Sequence, residues 1–174
     1  LERVNDAIQT NNFKLLEEST ALLLKELIEK SKTQHQEVFM ALPSFSGFVS
    51  LIEFPEMSDK EIAKAVKFQA GQYVPMPLQE TTLDWQIVER SSGKVTVLLM
   101  AVPTDIIQRY VHSAELAKII LKGLELENVA IARLFGKKEK KAIALVDIRG
   151  RSTSINIIDK GSLRASHNID TAGG

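Results

Sequence analysis

"Ser58-Asp59-Lys60-Glu61-Ile62-Ala63-Lys64-Ala65-Val66-Lys67-Phe68-Gln69-Ala70-Gly71-Gln72-Tyr73-Val74-Pro75-Met76-Pro77" holds both ends of one helix. Ser58 and Glu61 have the Ser-x-x-Glu spacing of a capping box, so the helix begins at Asp59. Ile62, Ala65, Val66 and Gln69 form one stripe along it, with Phe68 at the shoulder. A residue preceding proline is pushed out of the α region, so Pro75 requires the helix to finish by about Tyr73. Gly71 weakens its last turn. Downstream, Leu83, Trp85 and Ile87 alternate with Asp84, Gln86 and Val88, the pattern of a half-buried strand. Ser91-Ser92-Gly93 is a turn, and Val95 to Val102 is the returning strand. Upstream, Phe48, Ser50, Ile52 and Phe54 share one face of a strand that Pro55 ends. Phe48 to Val102 therefore reads as strand, helix, strand, strand.

The flanks are mixed helix and strand. Val4, Ile8, Leu15 and Leu22, then Leu16, Leu23 and Leu27, recur at helical spacing as far as Lys32, with a break at Asn11-Asn12. Glu37 to Leu42 is a short, nearly all-apolar strand, a pattern expected to be buried on both faces. A helix capped by Thr104 is expected to run to Lys122, with Gly123 as its stop. Its apolar side holds Ile107, Tyr110, Val111, Ala114 and Leu121. Three strands are expected at Ala142 to Ile148, Ser154 to Asp159 and Leu163 to Ile169, the last two joined at Lys160-Gly161.

The 174 residues are 44% hydrophobic and 25% charged, with 22 basic and 22 acidic side chains. Such a balance gives no support to nucleic-acid or lipid binding, either of which would need a local patch instead. There is no cysteine, which excludes disulfides and thiolate metal sites. No apolar run approaches the roughly 18 residues of a membrane span. The chain begins at Leu1 and ends at Thr171-Ala172-Gly173-Gly174, and is expected to be a piece of a longer protein.

Few residues point to chemistry. His35, His112 and His167 have no partner at metal-ligand spacing and read as ordinary histidines. There is no Gly-x-Ser-x-Gly elbow. The basic run Lys137 to Lys141 is interrupted by Glu139 and reads as a solvated turn. Asp84 beside Trp85 reads as an outward residue next to an inward aromatic. One hairpin stands apart: Asp147 closes an apolar strand, Gly150, Ser152 and Thr153 occupy the turn, and a second strand leaves. That arrangement can set backbone N–H groups and hydroxyls around a phosphate, with the aspartate near a metal or the attacking water. An ordinary polar hairpin has the same pattern.

The stretches Ile52 to Ser58, Phe68 to Pro77 and Leu83 to Gln86 together resemble the PilM family of type IV pilus assembly proteins, relatives of FtsA in the actin-like ATPase superfamily. The resemblance implies an α/β (α+β) fragment of an actin-like ATPase fold. Residues 1–42 and 104–140 would belong to subdomain 1A, residues 43–103 to the inserted subdomain 1C, and residues 141–174 to the opening of subdomain 2A. It implies a scaffold of the pilus inner-membrane alignment complex, cytoplasmic and held at the inner membrane only through partners. Its partner would be the cytoplasmic tail of a PilN-like protein. Phe68, Tyr73, Val74 and Met76 either line the groove for that tail, between 1A and 1C, or only pack 1C together. An enzymatic reading, as an ATPase of cell division (FtsA-like) or of type II secretion, stands as the alternative.

By the same resemblance, Asp147, Gly150, Ser152 and Thr153 fall in the second phosphate motif, and Gly173 and Gly174 open the next glycine-rich element. ATP with Mg is implied for the whole protein. Arg149 stands where the family has glycine, and a side chain there crowds a phosphate. The first phosphate loop, of the Asp-Ile-Gly-Ser kind, is expected to lie before Leu1. Residues 1–174 alone are therefore expected to bind Mg-ATP weakly or not at all and to have no catalytic residue. Calorimetric titration checks this, and micromolar binding overturns it. Self-association through unpaired strand edges after Ala142 is also expected.

Overall fold

The computed structural model describes residues 13–32, 37–136, 141–148 and 152–169. The chain forms two compact units, one from Leu1–Met40 with Asp105–Leu124 and the other from Ala41–Thr104 with Glu125–Gly174.

In the first unit, α1 (Phe13–Ser31) and α3 (Thr104–Ala117) pack with a two-stranded sheet of β1 (Glu37–Leu42) and β5 (Ile120–Leu126). Ala21, Leu24 and Ile28 of α1 meet Ala114, Ala117, Ile119 and Val38. The leucines expected inside, Leu22, Leu23 and Leu27, are exposed. Three successive leucines, Leu22 to Leu24, leave the phase of the stripe open, and packing selects Leu24. Val4 and Ile8 lie outside the described residues.

The helix begun by Thr104 stops at Ala117, five residues before the expected Lys122. Lys118 takes φ 58°. Its N–H bonds the Glu115 carbonyl at 2.9 Å, and the Ile119 N–H bonds the Ala114 carbonyl at 3.1 Å. These two bonds form a Schellman cap. Ile120 to Leu126 then pairs with β1 as a strand, so Gly123 lies under the Phe39 ring rather than at a helix end. β1 is likewise not buried on both faces: its exposure alternates, and Phe39 is 79% exposed.

In the second unit, β2 (Phe48–Pro55), β4 (Lys94–Pro103) and β3 (Thr81–Ser91) form an antiparallel sheet in the order β2-β4-β3. Leu99 stands between Ser50 and Trp85, and Val97 between Ile52 and Ile87. Helix α2 (Asp59–Tyr73) covers this face with Ile62, Val66 and Ala70. Its ends are those read from sequence. The Glu61 carboxylate accepts from the Ser58 N–H at 2.8 Å and the Ser58 hydroxyl at 2.7 Å, and these bonds hold its pKa below the ordinary value. The β3–β4 turn has Ser92 and Gly93 both at positive φ, as a type I′ turn requires.

The same unit contains α4 (Glu127–Gly136) and an antiparallel sheet of β6 (Ile143–Ile148), β7 (Thr153–Asp159) and β8 (Ser162–Ile169). These strands match the expected three, with Lys160 and Gly161 again at positive φ. A Cβ on Gly136 would stand 2.5 Å from the Gly161 Cα, so only glycine lets α4 end against that turn. Asn128 and Asn156 join α4 to β7 through the Ser166 hydroxyl. On the other face, Val146, Ile148, Ile155, Ile157 and Ile169 are exposed.

Candidate functional site

The α2 module has two distinct outward surfaces. The first is the helix exit. The Val74 N–H closes on the Ala70 carbonyl at 2.9 Å, while Val74 itself is extended, as a residue before proline must be. Val74 is buried, and Met76 and Leu78 pack half-buried against the core. Tyr73 is 38% exposed beside them. The second surface is the outer face of the helix, where Phe68 is 86% exposed. Five helical residues separate Phe68 from Tyr73, about 140° around the axis. The structure therefore distributes the four residues over three places: Phe68 on the outer arc, Tyr73 at the exit, and Val74 and Met76 against the core.

Arg90 positions the start of α2. Its guanidinium bonds Glu56, the Met57 carbonyl at 3.0 Å and Asp59 at 2.5 Å. Sequence reading passed over this residue because its partners lie more than thirty positions away. It also passed over Lys60, Lys64 and Lys67, all exposed on α2. Their signal was available in the i, i+4, i+7 spacing. Trp85 is half-buried on the sheet face that meets α2, as its alternation predicts, and Asp84 is exposed, accepting the Trp85 N–H at 2.8 Å.

Of the phosphate candidates, Asp147 lies on β6 opposite Ser154, and Thr153 on β7 opposite Ile148. Ser152 precedes Thr153 at this end of the hairpin. Gly150, Gly173 and Gly174, with Arg149, lie outside the described residues. Among the described residues no group of three or more His, Asp or Glu side chains is placed to hold a metal. His112 lies near Glu17 and Glu115, at 3.8 and 3.7 Å, and His167 is exposed on β8. His35 and Lys137 to Lys140 are not described; Lys141 is exposed.

A cavity of about 190 Å³ is lined by Gln86, Leu98, Val129, Arg133, Lys160 and Ser162. Its two cations are already engaged. Arg133 makes a two-pronged pair with Glu125, and Lys160 bonds Glu89 at 2.8 Å. Glu89 also receives Arg164 at 3.0 Å, and these cations, Lys160 foremost, keep its carboxyl below the ordinary range. No helix among the described residues is long and apolar enough to cross a membrane.

These features define a mixed α/β protein whose distinctive part is a helix-covered three-stranded module. Residues 3–166 match the family model of the type IV pilus assembly protein PilM, and the chain belongs to that family. A solved PilM-PilN type IV pilus biogenesis complex aligns with a TM-score of 0.78 and 22% identity, over 91% of this chain and 49% of the matched one. The cytoplasmic domain of EpsL, an inner membrane component of the type II secretion system of Vibrio cholerae, aligns at 0.59 and 11% identity, over 86% and 56%. At these identities the likeness shows the fold. It is that of PilM, the class that the sequence resemblance places among the actin-like ATPases. The chain spans about half the length of the structures it matches.

Proposed function

We propose that this chain is part of a type IV pilus assembly scaffold that receives the cytoplasmic tail of a PilN-like inner-membrane protein. The family match over residues 3–166 carries the reading. In it, the α2 module is subdomain 1C, residues 141–174 open subdomain 2A, and the remainder belongs to 1A. The protein acts in the cytoplasm, and its contribution is binding rather than catalysis. ATP with Mg belongs to the whole protein and is not assigned to the described residues.

The tail binds at the exit of α2. Tyr73 presents a partly exposed aromatic ring there, and the helix ends directly after it at the extended Val74. Peptide capture on an apolar surface of this kind depends on a few anchors. In fluorescence anisotropy with a labelled tail peptide and the whole protein, Tyr73→Ala should weaken binding by more than about 1 kcal/mol, roughly fivefold. Unchanged affinity removes the exit from the site, and no binding by the unaltered protein overturns the pilus reading. The apolar outer face of β6-β7-β8 supports the self-association expected from sequence.

A further inference from the structure

The outer arc of α2 carries Lys60, Lys64, Lys67 and Phe68 within about 100° of the helix circumference. All four are exposed, and none of the lysines is in an ion pair or hydrogen bond among the described residues. By contrast, Lys30, Lys94, Lys122 and Lys160 each sit against a carboxylate. The acidic groups next to the arc have other partners. Asp59 takes the Arg90 guanidinium, and Glu61, at the arc's edge, caps the helix with Ser58, with Lys64 a lesser electrostatic neighbour. Positive charge on the arc is thus left for an outside partner.

Phe68 identifies the kind of partner. Its ring does no packing inside the module, since Ile62, Val66 and Ala70 supply the inward stripe. A protruding aromatic beside free lysines suits a membrane–water boundary: ammonium groups meet headgroup phosphates while the ring enters the headgroup–acyl region. The flexible lysine stems adjust to the depth of the ring. An acidic protein segment would satisfy the lysines alone and leave the ring without a pocket. We propose that the outer arc of α2 binds an anionic phospholipid surface directly, in addition to any attachment through partners. The arc residues lie about 120–180° around the helix from Tyr73, so this contact does not depend on the peptide site.

Flotation of the whole protein with vesicles tests the proposal. The protein should float with phosphatidylcholine–phosphatidylglycerol vesicles at low salt and not with phosphatidylcholine alone. At about 1 M salt, where the screening length falls to about 3 Å, it should no longer float. The triple variant Lys60→Gln, Lys64→Gln, Lys67→Gln should partition about a hundredfold less, at about fivefold per lysine. Phe68→Ser should lower partitioning several-fold while leaving its salt dependence unchanged. The triple lysine variant should leave the thermal transition and tail-peptide affinity as they were, which separates this contact from the peptide site. Absence of flotation with the anionic vesicles overturns the proposal, as does a triple variant that floats as well as the unaltered protein. Lysine-dependent binding to polyglutamate without vesicle binding also overturns it, and assigns the arc to an acidic protein.

Discussion

Leu99→Ala is expected to lower the unfolding free energy by about 3–5 kcal/mol, the range of fully buried leucines whose site cannot collapse. Leu99 is completely buried on the central strand β4. Its neighbours in register are Ser50 on one side and Trp85 on the other, and Ile62, Val66 and Ala70 belong to the same core. Paired strands on both sides and a capped helix above leave the backbone little room to close on the void. Trp85→Ala removes a larger side chain but should cost less, about 2–3 kcal/mol, because part of that ring already meets water. Chemical denaturation measures both. Trp85 is the only tryptophan, so its fluorescence follows the module in Leu99→Ala, and circular dichroism serves for Trp85→Ala. An unchanged midpoint in Leu99→Ala would mean that the sheet is not in this register.

What sequence reading captured depended on how local the deciding interaction is. The ends of α2 are written within a few residues of themselves: Ser58 and Glu61 at one, Pro75 at the other. The β3 alternation is a period-two pattern that survives without knowledge of its partners, and so Trp85 was placed on the right face. The end of α3 is different. Lys118 adopts a positive φ that its residue type does not advertise, and Ile120 becomes strand because β1 lies beside it. The pattern Ile107, Val111, Ala114, Leu121 runs through both elements, so periodicity alone carried the helix too far.

The same distinction holds for the candidate sites. The apolar segment at the exit of α2 was legible as a cluster, but not its division, since burial of Val74 against exposure of Phe68 follows from which side of the helix meets the sheet. The lysine arc has a plain helical spacing. It went unread because the apolar stripe decides where a helix packs, while a charged stripe ordinarily signals only solvent. Asp147 and Thr153 were placed at the same end of one hairpin from the polar turn that separates two apolar strands. Their partner glycines lie outside the described residues.

Asn156→Ala is expected to destabilise the protein by about 2–4 kcal/mol, combining the loss of buried hydrogen bonds with a cavity. Asn156 is completely buried in the middle strand of its sheet. Its carbonyl oxygen accepts from the Ser166 hydroxyl at 2.8 Å, and its amide donates to the Ser154 hydroxyl at 3.2 Å. Ser166 accepts in turn from the Asn128 amide at 3.0 Å, while the Asn128 carbonyl oxygen takes the Val129 N–H at 3.0 Å. The chain of bonds thus runs from the first turn of α4 across β8 and β7, joining the buried Asn128, Asn156 and Ser154 through a half-buried Ser166. Removing Asn156 takes the donor from the buried Ser154 hydroxyl, an orphan that costs about 1–3 kcal/mol, and the acceptor from the half-buried Ser166 hydroxyl. Ser166→Ala breaks the same bond from the other side and also orphans the Asn128 amide. Since the two changes destroy one shared interaction, the double variant should fall short of the sum of the singles by about 1 kcal/mol or more. Denaturation of the four proteins under identical conditions completes the cycle. Strict additivity would show that the two side chains stabilise the fold independently.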